Sequence, residues 1–428
     1  MHKTDDIEID QISKIEGHSD LHIKVRDGEV KDVQMMVTEN KRFYTQAIRG
    51  KNIKNIAQVV SRICGTCSVA HNTCCIEAIE NAFQIKPSEQ TMILRNLTMN
   101  GLMIRDHALH LYIFSLPDVF NVDSILQFNK QQHKYVHDTF DVKKVGNNLC
   151  TRVAGRAVHP TLPQVGGFLK LPDMKLLKES VVEMKKIRPR ILDLIDVFTQ
   201  CDFKFETDTE FVGLTNSDYN FLGGEICSSQ GHCLPENQFW DHLERVVLPY
   251  SQATAFEFEG EEYFVGSLAR MNLNKKSLHK ETQKDAAKAL KFFPSKNMFH
   301  NNLSQAIEIL HCIDKSTEII EKLEIKPEVR PVIEPRMASG IGVIEAPRGT
   351  LYYMVTIKPD GKISYGNLVI PSAQNQIKLN IDLKNFINPM IKTHDKDYIK
   401  HELEKLIRAY DPCMSCAAHF LKVHWNEK

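Results

Sequence analysis

The sequence predicts a mainly helical α+β fold, built as one large domain with β-hairpins at its periphery. Apolar residues recur at helical spacing through most of the chain. Two segments, one near the N-terminus and one before residue 370, alternate apolar and polar residues as half-buried strands do. No internal repeat, low-complexity tract or flexible linker separates modules. The 428 residues can bury a large core, so we expect residues 1–428 to form a single domain.

The N-terminal part, residues 1–45, is predicted to be β-rich. Residues 7–38 alternate apolar and polar side chains on both sides of Arg26-Asp27-Gly28. An Asp-Gly pair between two such segments is typical of a hairpin turn. The pattern therefore predicts a β-hairpin over this stretch.

A helical core is predicted for residues 53–200. The helices expected there run over 53–63, over 70–83, from 87 to 116, and from 173 onward. Ser88 is a typical helix-capping residue for the third of these. Pro117 is expected to stop that helix, and Pro189 to kink the fourth, because proline lacks the N–H that a helix interior uses.

The second half of the chain mixes strands and helices. The predicted parts are a mixed region of short strands and loops at 202–270, a helical region at 280–323, a β-rich region at 341–376, a C-terminal helix and chain end at 380–419, and a tail at 420–428. The β-rich region folds over the turn Lys358-Pro359-Asp360-Gly361-Lys362. The last helix is expected to end near Tyr410.

Composition and charge exclude several classes of protein. Lys+Arg and Asp+Glu both number 54, which excludes a strongly basic nucleic-acid binder and an acidic tail. The N-terminus has no basic segment followed by an apolar run, and no stretch approaches the ~18 apolar residues that span a bilayer. The 11 cysteines are an odd count without a signal peptide, which indicates a reducing compartment. We expect a cytoplasmic protein with no membrane insertion and no nucleic-acid partner.

Two C-x-x-C pairs stand near opposite ends of the chain. The first is Cys64 and Cys67, and the second is Cys413 and Cys416. This spacing lets two thiolates reach one metal, since the intervening turn places both sulfurs on the same side. Two pairs supply four soft ligands, which select zinc, an iron–sulfur cluster or a thiophilic ion such as nickel.

The residues alone leave two interpretations of this constellation open. One is a structural four-cysteine zinc site, and the other is a centre that carries chemistry. The roughly 350 residues between the pairs favour the second, because zinc ribbons close short loops and fold small modules. The other seven cysteines are expected to be core thiols: Cys74, Cys75, Cys150, Cys201, Cys227, Cys233 and Cys312.

Six motifs, in order along the chain, resemble those of the large, catalytic subunit of nickel–iron hydrogenases. The two cysteine pairs lie within R-x-C-G-x-C-x-x-x-H and D-P-C-x-x-C-x-x-H. The other four are Ile15-Glu16-Gly17-His18 with Lys14 in place of an arginine, Gly155-Arg156-Ala157-Val158-His159-Pro160, Glu345-Ala346-Pro347-Arg348-Gly349-Thr350-Leu351, and Pro371-Ser372-Ala373-Gln374-Asn375. The chain is similar to this family over most of its length.

The resemblance implies a nickel–iron centre and a reaction. It implies that Cys64 and Cys413 bind nickel terminally, while Cys67 and Cys416 bridge nickel and an iron that carries carbonyl and cyanide ligands installed by maturation proteins. The implied activity is reversible heterolytic cleavage of dihydrogen. Dihydrogen has almost no polarity, so the metal must polarise it and a nearby base must take the proton.

The same resemblance gives six further residues expected roles. They are Glu16 as a proton relay, His71 as a hydrogen-bond partner of a bridging sulfur, Arg348 as a guanidinium beside the iron, Asp106 and Asp411 as carboxylates that hold this arginine, and Ser372 as a donor to a cyanide. A carboxyl group suits a relay because burial can raise its pKa toward neutrality.

Four of these residues also have a plainer interpretation. Without the motifs, Glu16 reads as a surface glutamate at a strand end and His71 as a satisfied core histidine. Asp106 reads as a helix-surface charge, and Asp411, which precedes a proline, as a turn residue after a helix.

Two departures from the family pattern concern one further metal site. Thr45 stands where the family has a glutamate that helps to bind a buried magnesium or iron ion, and a neutral oxygen is a weaker ligand for a hard cation. Family members are commonly cut after the histidine that matches His419, whereas this sequence continues through residues 420–428. We hypothesise that this C-terminal site is altered or absent. Intact-mass analysis of active protein with magnesium and iron counting tests this, and a cut chain with a full extra metal would refute it.

The resemblance also implies partners. With four cysteines assigned to the centre, no cluster-binding motif remains, so an iron–sulfur small subunit is expected to carry the electrons. The segments 107–118 and Ala373-Gln374-Asn375 resemble the cytoplasmic, cofactor-coupled hydrogenases, whose electrons go on to a nicotinamide, a deazaflavin or a heterodisulfide reductase. No Gly-rich nucleotide loop is present, so that chemistry is expected in other subunits.

Three other kinds of protein share part of this sequence pattern. The quinone-site subunit of respiratory complex I is related but lacks the cysteines. A dihydrogen sensor would signal without steady turnover, which a dye-reduction assay would reveal. A structural zinc protein would differ in its metal content, and infrared bands of carbonyl and cyanide would exclude it.

Overall fold

The computed structural model describes residues 7–38 and 44–417, with side chains through residue 415. Its α-helices are α1 (Tyr44–Ala47), α2 (Ile56–Val60), α3 (Ser68–Phe83), α4 (Glu89–Ala108), α5 (Leu116–Val119), α6 (Lys134–Ala154), α7 (Met174–Thr199), α8 (Ser267–Asn274), α9 (Lys280–Asp285), α10 (His300–Lys322), α11 (Pro371–Gln374), α12 (Gln376–Ile387), α13 (Lys396–Ala409) and α14 (Met414–Ala417). A π-helix at Leu109–Ser115 joins α4 to α5. Short 3₁₀ turns lie at Ser61–Ile63, Ile125–Gln127, Glu236–His242, Lys275–Ser277 and Ala289–Phe292.

The strands are short and lie around the helices. They are β1 (Ile7–Ile9), β2 (Ser19–Arg26), β3 (Glu29–Val37), β4 (Pro163–Gln164), β5 (Gly167–Phe168), β6 (Glu210–Thr215), β7 (Glu225–Ser228), β8 (Cys233–Pro235), β9 (Leu243–Val247), β10 (Thr254–Phe258), β11 (Tyr263–Phe264), β12 (Ala338–Ala346), β13 (Gly349–Ile357) and β14 (Ile363–Val369). The larger sheets have the orders β1-β2-β3, β11-β6-β7-β8 and β12-β13-β14. Pairing is antiparallel except between β11 and β6. The mainly helical α+β prediction is confirmed.

The helical core is built from four long helices. α4 packs against α6 and α10, and α7 packs against the same two helices. Gly146 of α6 permits the closest of these contacts, because a Cβ there would lie 2.7 Å from the backbone nitrogen of Arg105 in α4. The resulting core is continuous with the N-terminal sheet and with α3.

The expected N-terminal hairpin is confirmed. β2 and β3 pair antiparallel from Ser19 opposite Val37 to Arg26 opposite Glu29. Asp27 and Gly28 form the turn with φ angles of 55° and 72°, the left-handed conformation that a two-residue hairpin turn requires.

Helix α3 and strand β12 approach each other unusually closely. A Cβ on Gly340 would lie 2.2 Å from the carbonyl oxygen of Ala78, and one on Gly342 would lie 2.5 Å from that of Cys74. Only glycine permits such an approach of two backbones. The contact fixes the start of α3 relative to the turn that follows β12, and both belong to the site described below.

Two expectations about the helices differ from the structure. Pro117 does not stop the helical path, which continues to Val119. The proline lies in the first turn of α5. A backbone N–H at that position would have no partner within the helix, so its absence costs no hydrogen bond. The region 280–323 is helical only in part, since the chain leaves the helix between Phe292 and His300. Helix α7 runs through Pro189 as one element.

The expectation that all seven remaining cysteines are core thiols is wrong for two of them. Cys227 and Cys233 form a disulfide. The reason is local: they lie directly opposite each other on the antiparallel strands β7 and β8. Within residues 7–38 and 44–417, no helix is long and apolar enough to cross a membrane.

Candidate metal centre

The first cysteine pair lies where a loop enters helix α3. The chain leaves the 3₁₀ turn at Ile63, and Cys64 is extended, with φ −148° and ψ 140°. Cys67 is the N-cap residue of α3. A helix N-terminus carries partial positive charge, which favours a thiolate at this position. The Thr66 hydroxyl lies 3.0 Å from the Cys64 sulfur and 3.7 Å from the Cys67 sulfur.

The second pair is held by the N-terminal segment of the chain. Cys413 pairs with Glu16 in a short parallel bridge, in which the Met414 N–H donates to the Glu16 carbonyl at 2.8 Å. The Cys413 N–H donates to the Ser372 hydroxyl oxygen at 2.8 Å. Three distant parts of the chain therefore meet at Cys413.

Three of the four predicted cysteines converge. The sulfurs of Cys64, Cys67 and Cys413 lie within 4.8 Å of one another, and all three residues are buried. The Cys64 and Cys413 sulfurs are 3.5 Å apart. Cys416 belongs to α14, but its side chain lies outside the described part of the structure, as does His419.

Glu16 faces the cysteines from the N-terminal segment. Its Oε2 accepts from the Cys413 thiol at 2.9 Å and from the Ser415 N–H at 3.2 Å, and its Oε1 lies 3.8 Å from the Cys64 sulfur. Burial raises the pKa of this carboxyl, and the negative charge of Cys64 raises it further. The surface-glutamate interpretation does not apply, because the carboxyl is mostly buried among sulfurs.

Arg348 approaches the cysteines from a tight turn. Ala346 of β12 pairs with Gly349 of β13, so Pro347 and Arg348 form a two-residue turn. Gly349 has φ 126°, and a Cβ there would lie 2.6 Å from Cγ2 of Val265. The turn therefore depends on glycine at this position.

The Arg348 guanidinium is buried between two carboxylates and a sulfur. Nη1 donates to Asp106 Oδ2 at 2.8 Å and to the Cys67 sulfur at 3.3 Å, and Nη2 lies 3.0 Å from Asp411 Oδ1. Burial acts to lower its pKa, but Asp106 and Asp411 outweigh burial and hold that pKa well above its ordinary value. Nε and Nη2 make no aligned hydrogen bond within the described structure. Neither aspartate is a helix-surface or loop-surface charge.

His71 and Ser372 complete the surroundings. The His71 Nδ1 and the Tyr353 hydroxyl are 2.8 Å apart, and burial lowers the pKa of His71 to about 4, which leaves a neutral imidazole near pH 7.

A small cavity adjoins the sulfurs, and its lining includes Cys67, His71, Arg348, Ser372 and Cys413. The structure thus brings together every predicted site residue that it describes with its side chain, apart from Thr45, which is exposed in α1.

Several residues around this site were not anticipated from the sequence. Thr66 stands inside the first C-x-x-C pair, where the spacing assigns a role to the cysteines alone. Tyr353 carries no sequence signal beyond its place on a strand two positions past a recognised motif. A buried ion cluster of Arg270, Glu308 and Glu345 lies behind the Arg348 turn, and of its three residues only Glu345 stands in a recognised motif.

Comparisons with known proteins point to one family. Residues 42–157 and 211–419 match the nickel-dependent hydrogenase family. The chain is 28% identical to sulfhydrogenase 1 subunit alpha of Pyrococcus furiosus, over 97% of this chain and 98% of that protein. It is 29% identical to sulfhydrogenase 2 subunit alpha of the same organism, over 97% of this chain and 100% of that protein.

A solved structure shares the fold. A chain of an NAD+-reducing NiFe hydrogenase superposes with a TM-score of 0.85 at 23% identity, covering 97% of this chain and 100% of that one. The two segments that match the family contain all three clustered cysteines and most of the chain. The chain therefore belongs to the nickel-dependent hydrogenase family, as a large, catalytic subunit.

Proposed function

We propose that Cys64, Cys67, Cys413 and Cys416 hold the nickel–iron group of this hydrogenase, and that dihydrogen is split heterolytically there. The observation that carries this is the convergence of buried sulfurs from both ends of the chain within 4.8 Å, with Glu16 and Arg348 beside them. When bound, the group supplies a Lewis-acidic position that polarises dihydrogen.

The residues present fit such a group. Thiolates are the soft ligands that thiophilic metals select, and the described sulfurs lie in a buried pocket rather than on a zinc-ribbon loop. Arg348 lines the same cavity, and its buried Nε has no hydrogen-bond partner in the described structure. A buried donor of this kind is normally satisfied, so it fits an acceptor such as cyanide on the iron.

The surrounding side chains orient and stabilise the group. Asp106 and Asp411 hold the Arg348 guanidinium in one direction and keep it charged. The Ser372 oxygen accepts from the Cys413 N–H, so its own proton can be donated toward a second acceptor. His71 is neutral and can donate one hydrogen bond toward a bridging sulfur while Tyr353 fixes its ring, as second-shell partners do at metal sites.

Glu16 is the proton acceptor in this proposal. Its Oε2 is 2.9 Å from the Cys413 sulfur, which is within reach for direct proton transfer. Because burial raises its pKa, the carboxyl can exchange a proton at a pH where an exposed glutamate would stay ionised.

An iron–sulfur small subunit is the partner that we propose for electron transfer. Gly65 is exposed and Thr66 half-buried between the two ligands Cys64 and Cys67, so this loop forms part of the surface of the large subunit. Val158 is exposed on the adjacent segment. A docking partner here would bring a cluster close to the sulfurs.

Val158→Glu is expected to weaken association with the small subunit, and Val182→Glu, an exposed apolar position on α7, is the control.

Further partners and location follow from the relatives. One structural neighbour reduces NAD+, and the matched sulfhydrogenase chains are named as subunits. We propose a cytoplasmic complex in which other subunits pass electrons to a nicotinamide, a deazaflavin or a heterodisulfide reductase. Maturation proteins would install the iron ligands.

The decisive experiment is spectroscopic. The purified complex should contain nickel and iron, show infrared bands of metal-bound carbonyl and cyanide, and reduce a dye with dihydrogen. Cys64→Ser should abolish nickel retention, whereas Cys150→Ser, at a buried thiol that bonds to the Thr98 carbonyl, should retain it. Zinc in place of nickel, with no infrared bands, would refute the assignment.

A further inference from the structure

A cluster of buried charges lies directly behind the metal centre without touching it. Arg270 of α8 binds Glu308 of α10 through two parallel contacts, Nε to Oε1 and Nη2 to Oε2, both 2.7 Å. Its Nη1 donates to Glu345 Oε2 at 2.7 Å. All three side chains are at most 3% exposed. The cluster therefore connects helix α8, helix α10 and strand β12.

Arg270 also binds the backbone of the turn that presents Arg348. Nη1 donates to the Ala346 carbonyl and Nη2 to the Pro347 carbonyl, each at 3.1 Å. These are the two residues immediately before Arg348. Since the turn has only two residues between its paired strands, fixing both carbonyls fixes the direction in which the Arg348 side chain leaves the backbone.

Glu308 also bonds to the residue that follows Asp106, the aspartate that pairs with Arg348. Its Oε2 lies 2.8 Å from the His107 Nε2, and His107 directly follows Asp106 in α4. The Tyr219 hydroxyl donates to Glu308 Oε1 at 2.9 Å. Glu308 is thus bonded to Arg270 and also to the helical turn that carries Asp106.

The cluster contributes defined geometry more than net stability. Buried ion pairs contribute little net stability, because desolvation offsets much of their attraction. Burial acts to lower the pKa of Arg270 and to raise that of Glu308, but their mutual attraction reverses both effects. Both groups therefore remain charged, and the fork of contacts stays in place.

We propose that Arg270 and Glu308 are positioning residues for the Arg348–Asp106 pair, fixing the turn before Arg348 and the helical turn of Asp106 to one rigid ion pair. The inference rests on the proposed role of Arg348 at the metal centre. Neither positioning residue contacts the cysteines in the described structure, so their effect is transmitted through the two backbone segments.

The test compares Arg270→Lys with Arg95→Lys in the purified complex. Arg95 is the matched control: it is 3% exposed, pairs with Glu80 at 2.5 Å and donates to the Gln164 carbonyl, but lies in a different ion pair. Lysine keeps the charge and loses the fork. We expect Arg270→Lys to lower kcat by roughly 10- to 100-fold, as small misplacements of catalytic groups do, with KM for dihydrogen little changed. Its cyanide infrared bands should shift in the direction seen for Arg348→Lys.

A double-mutant cycle separates positioning from loss of stability. Adding Arg270→Lys to Arg348→Lys should have little further effect on kcat or the bands, whereas Arg95→Lys should leave the bands unchanged alone and in combination. Should Arg270→Lys not fold, Glu308→Gln serves in its place, with the same expected shift. Additive effects, or unshifted bands in a folded variant, would overturn the inference. An Arg348→Lys variant with wild-type bands would instead refute the proposed role of Arg348.

Discussion

Glu16 shows how a single residue gains chemistry from its surroundings. Glu16→Gln keeps the shape of the side chain and its hydrogen bond from the Ser415 N–H, but an amide cannot take a proton. We expect dihydrogen-dependent dye reduction to fall by roughly 10²- to 10⁴-fold, the usual contribution of general acid–base catalysis, while nickel content and infrared bands persist. The assay is turnover with metal analysis on the same sample.

The control for this prediction is another partly buried glutamate near the same segment. Glu404 accepts from the Ser13 hydroxyl and from Arg408, and Glu404→Gln should leave turnover nearly unchanged. Full activity of Glu16→Gln would contradict the relay role and would mean that another base beside the sulfurs accepts the proton.

The Cys227–Cys233 disulfide gives a second prediction at the scale of residues. Alkylation of the denatured, unreduced chain should label two fewer cysteines than alkylation after reduction, as read by mass spectrometry. Replacing both with serine should lower the free energy of unfolding by about 2 kcal/mol, since the loop is short, with kcat unchanged. Equal labelling in both samples would show that the two thiols are free.

The sequence allowed prediction of the residues at the centre, but not of those that support them. Arg348 and Asp411 stand in recognisable motifs, and the same resemblance assigns Asp106 as a partner of Arg348, so their convergence could be expected. Arg270 and Glu308 lie in ordinary helical segments, and their partners are 38 or more residues away. Contacts at such separations depend on tertiary packing, which local patterns do not encode. The Cys227–Cys233 disulfide could not be predicted in this way, because an odd cysteine count does not say which individual thiols are paired.

The turn between β12 and β13 is the structural element most sensitive to a small change. Gly349→Ala adds a Cβ 2.6 Å from Val265 Cγ2 and 2.9 Å from the Gly266 nitrogen, at a φ of 126°. We expect a loss of about 1 to 3 kcal/mol in the free energy of unfolding, together with reduced kcat, because Arg348 moves with the turn. Thermal unfolding and dye reduction measure the two effects.

Gly361 provides the matched comparison. It also has a positive φ, 75°, but a Cβ there would come no closer than 3.3 Å to the Pro335 ring and 3.5 Å to Asn52 Nδ2, and it lies in the turn after β13. Gly361→Ala should therefore lower stability modestly and leave kcat alone. If the two variants lose kcat equally, the turn does not set the position of Arg348.

Elements with a strong local pattern were the predictable ones. The β2–β3 hairpin and the start of α4 at Ser88 follow from alternation and from a capping residue whose hydroxyl accepts from the Thr91 N–H. The π-helix at Leu109–Ser115 and the parallel pairing of β11 with β6 did not follow. Apolar spacing cannot distinguish a π turn from an α turn, and a parallel pair joins strands that are distant in sequence.

The pH dependence of stability is a prediction for the whole molecule. Burial lowers the pKa of His311 to about 3, below its ordinary value of 6.5, so the unfolded chain binds a proton that the folded chain excludes. Stability supplied by this neutral imidazole is therefore complete above pH ~6.5 and is lost as the pH falls, by up to about 1.4 kcal/mol per pH unit. Denaturant unfolding between pH 7 and pH 4 measures it.

The comparison with His311→Gln isolates this histidine. Other groups act in the opposite direction, since burial raises the pKa of Glu236 to about 7, so only the difference between the two proteins is informative. The variant should show a shallower loss of stability on acidification than the parent chain. Parallel curves for the two proteins would mean that His311 is protonated in the folded state.

The pairing of Glu16 with Cys413 has a consequence for the timing of biosynthesis. A ribosome adds roughly 350 residues between the two cysteine pairs, which takes on the order of 20 to 70 s. During that interval the nascent chain carries only half of the sulfur ligands that we propose, and the backbone partner of Glu16 does not yet exist. Closure of the proposed centre therefore requires that the segment around Cys413 has been synthesised, and a product truncated before it would retain Cys64 and Cys67 alone.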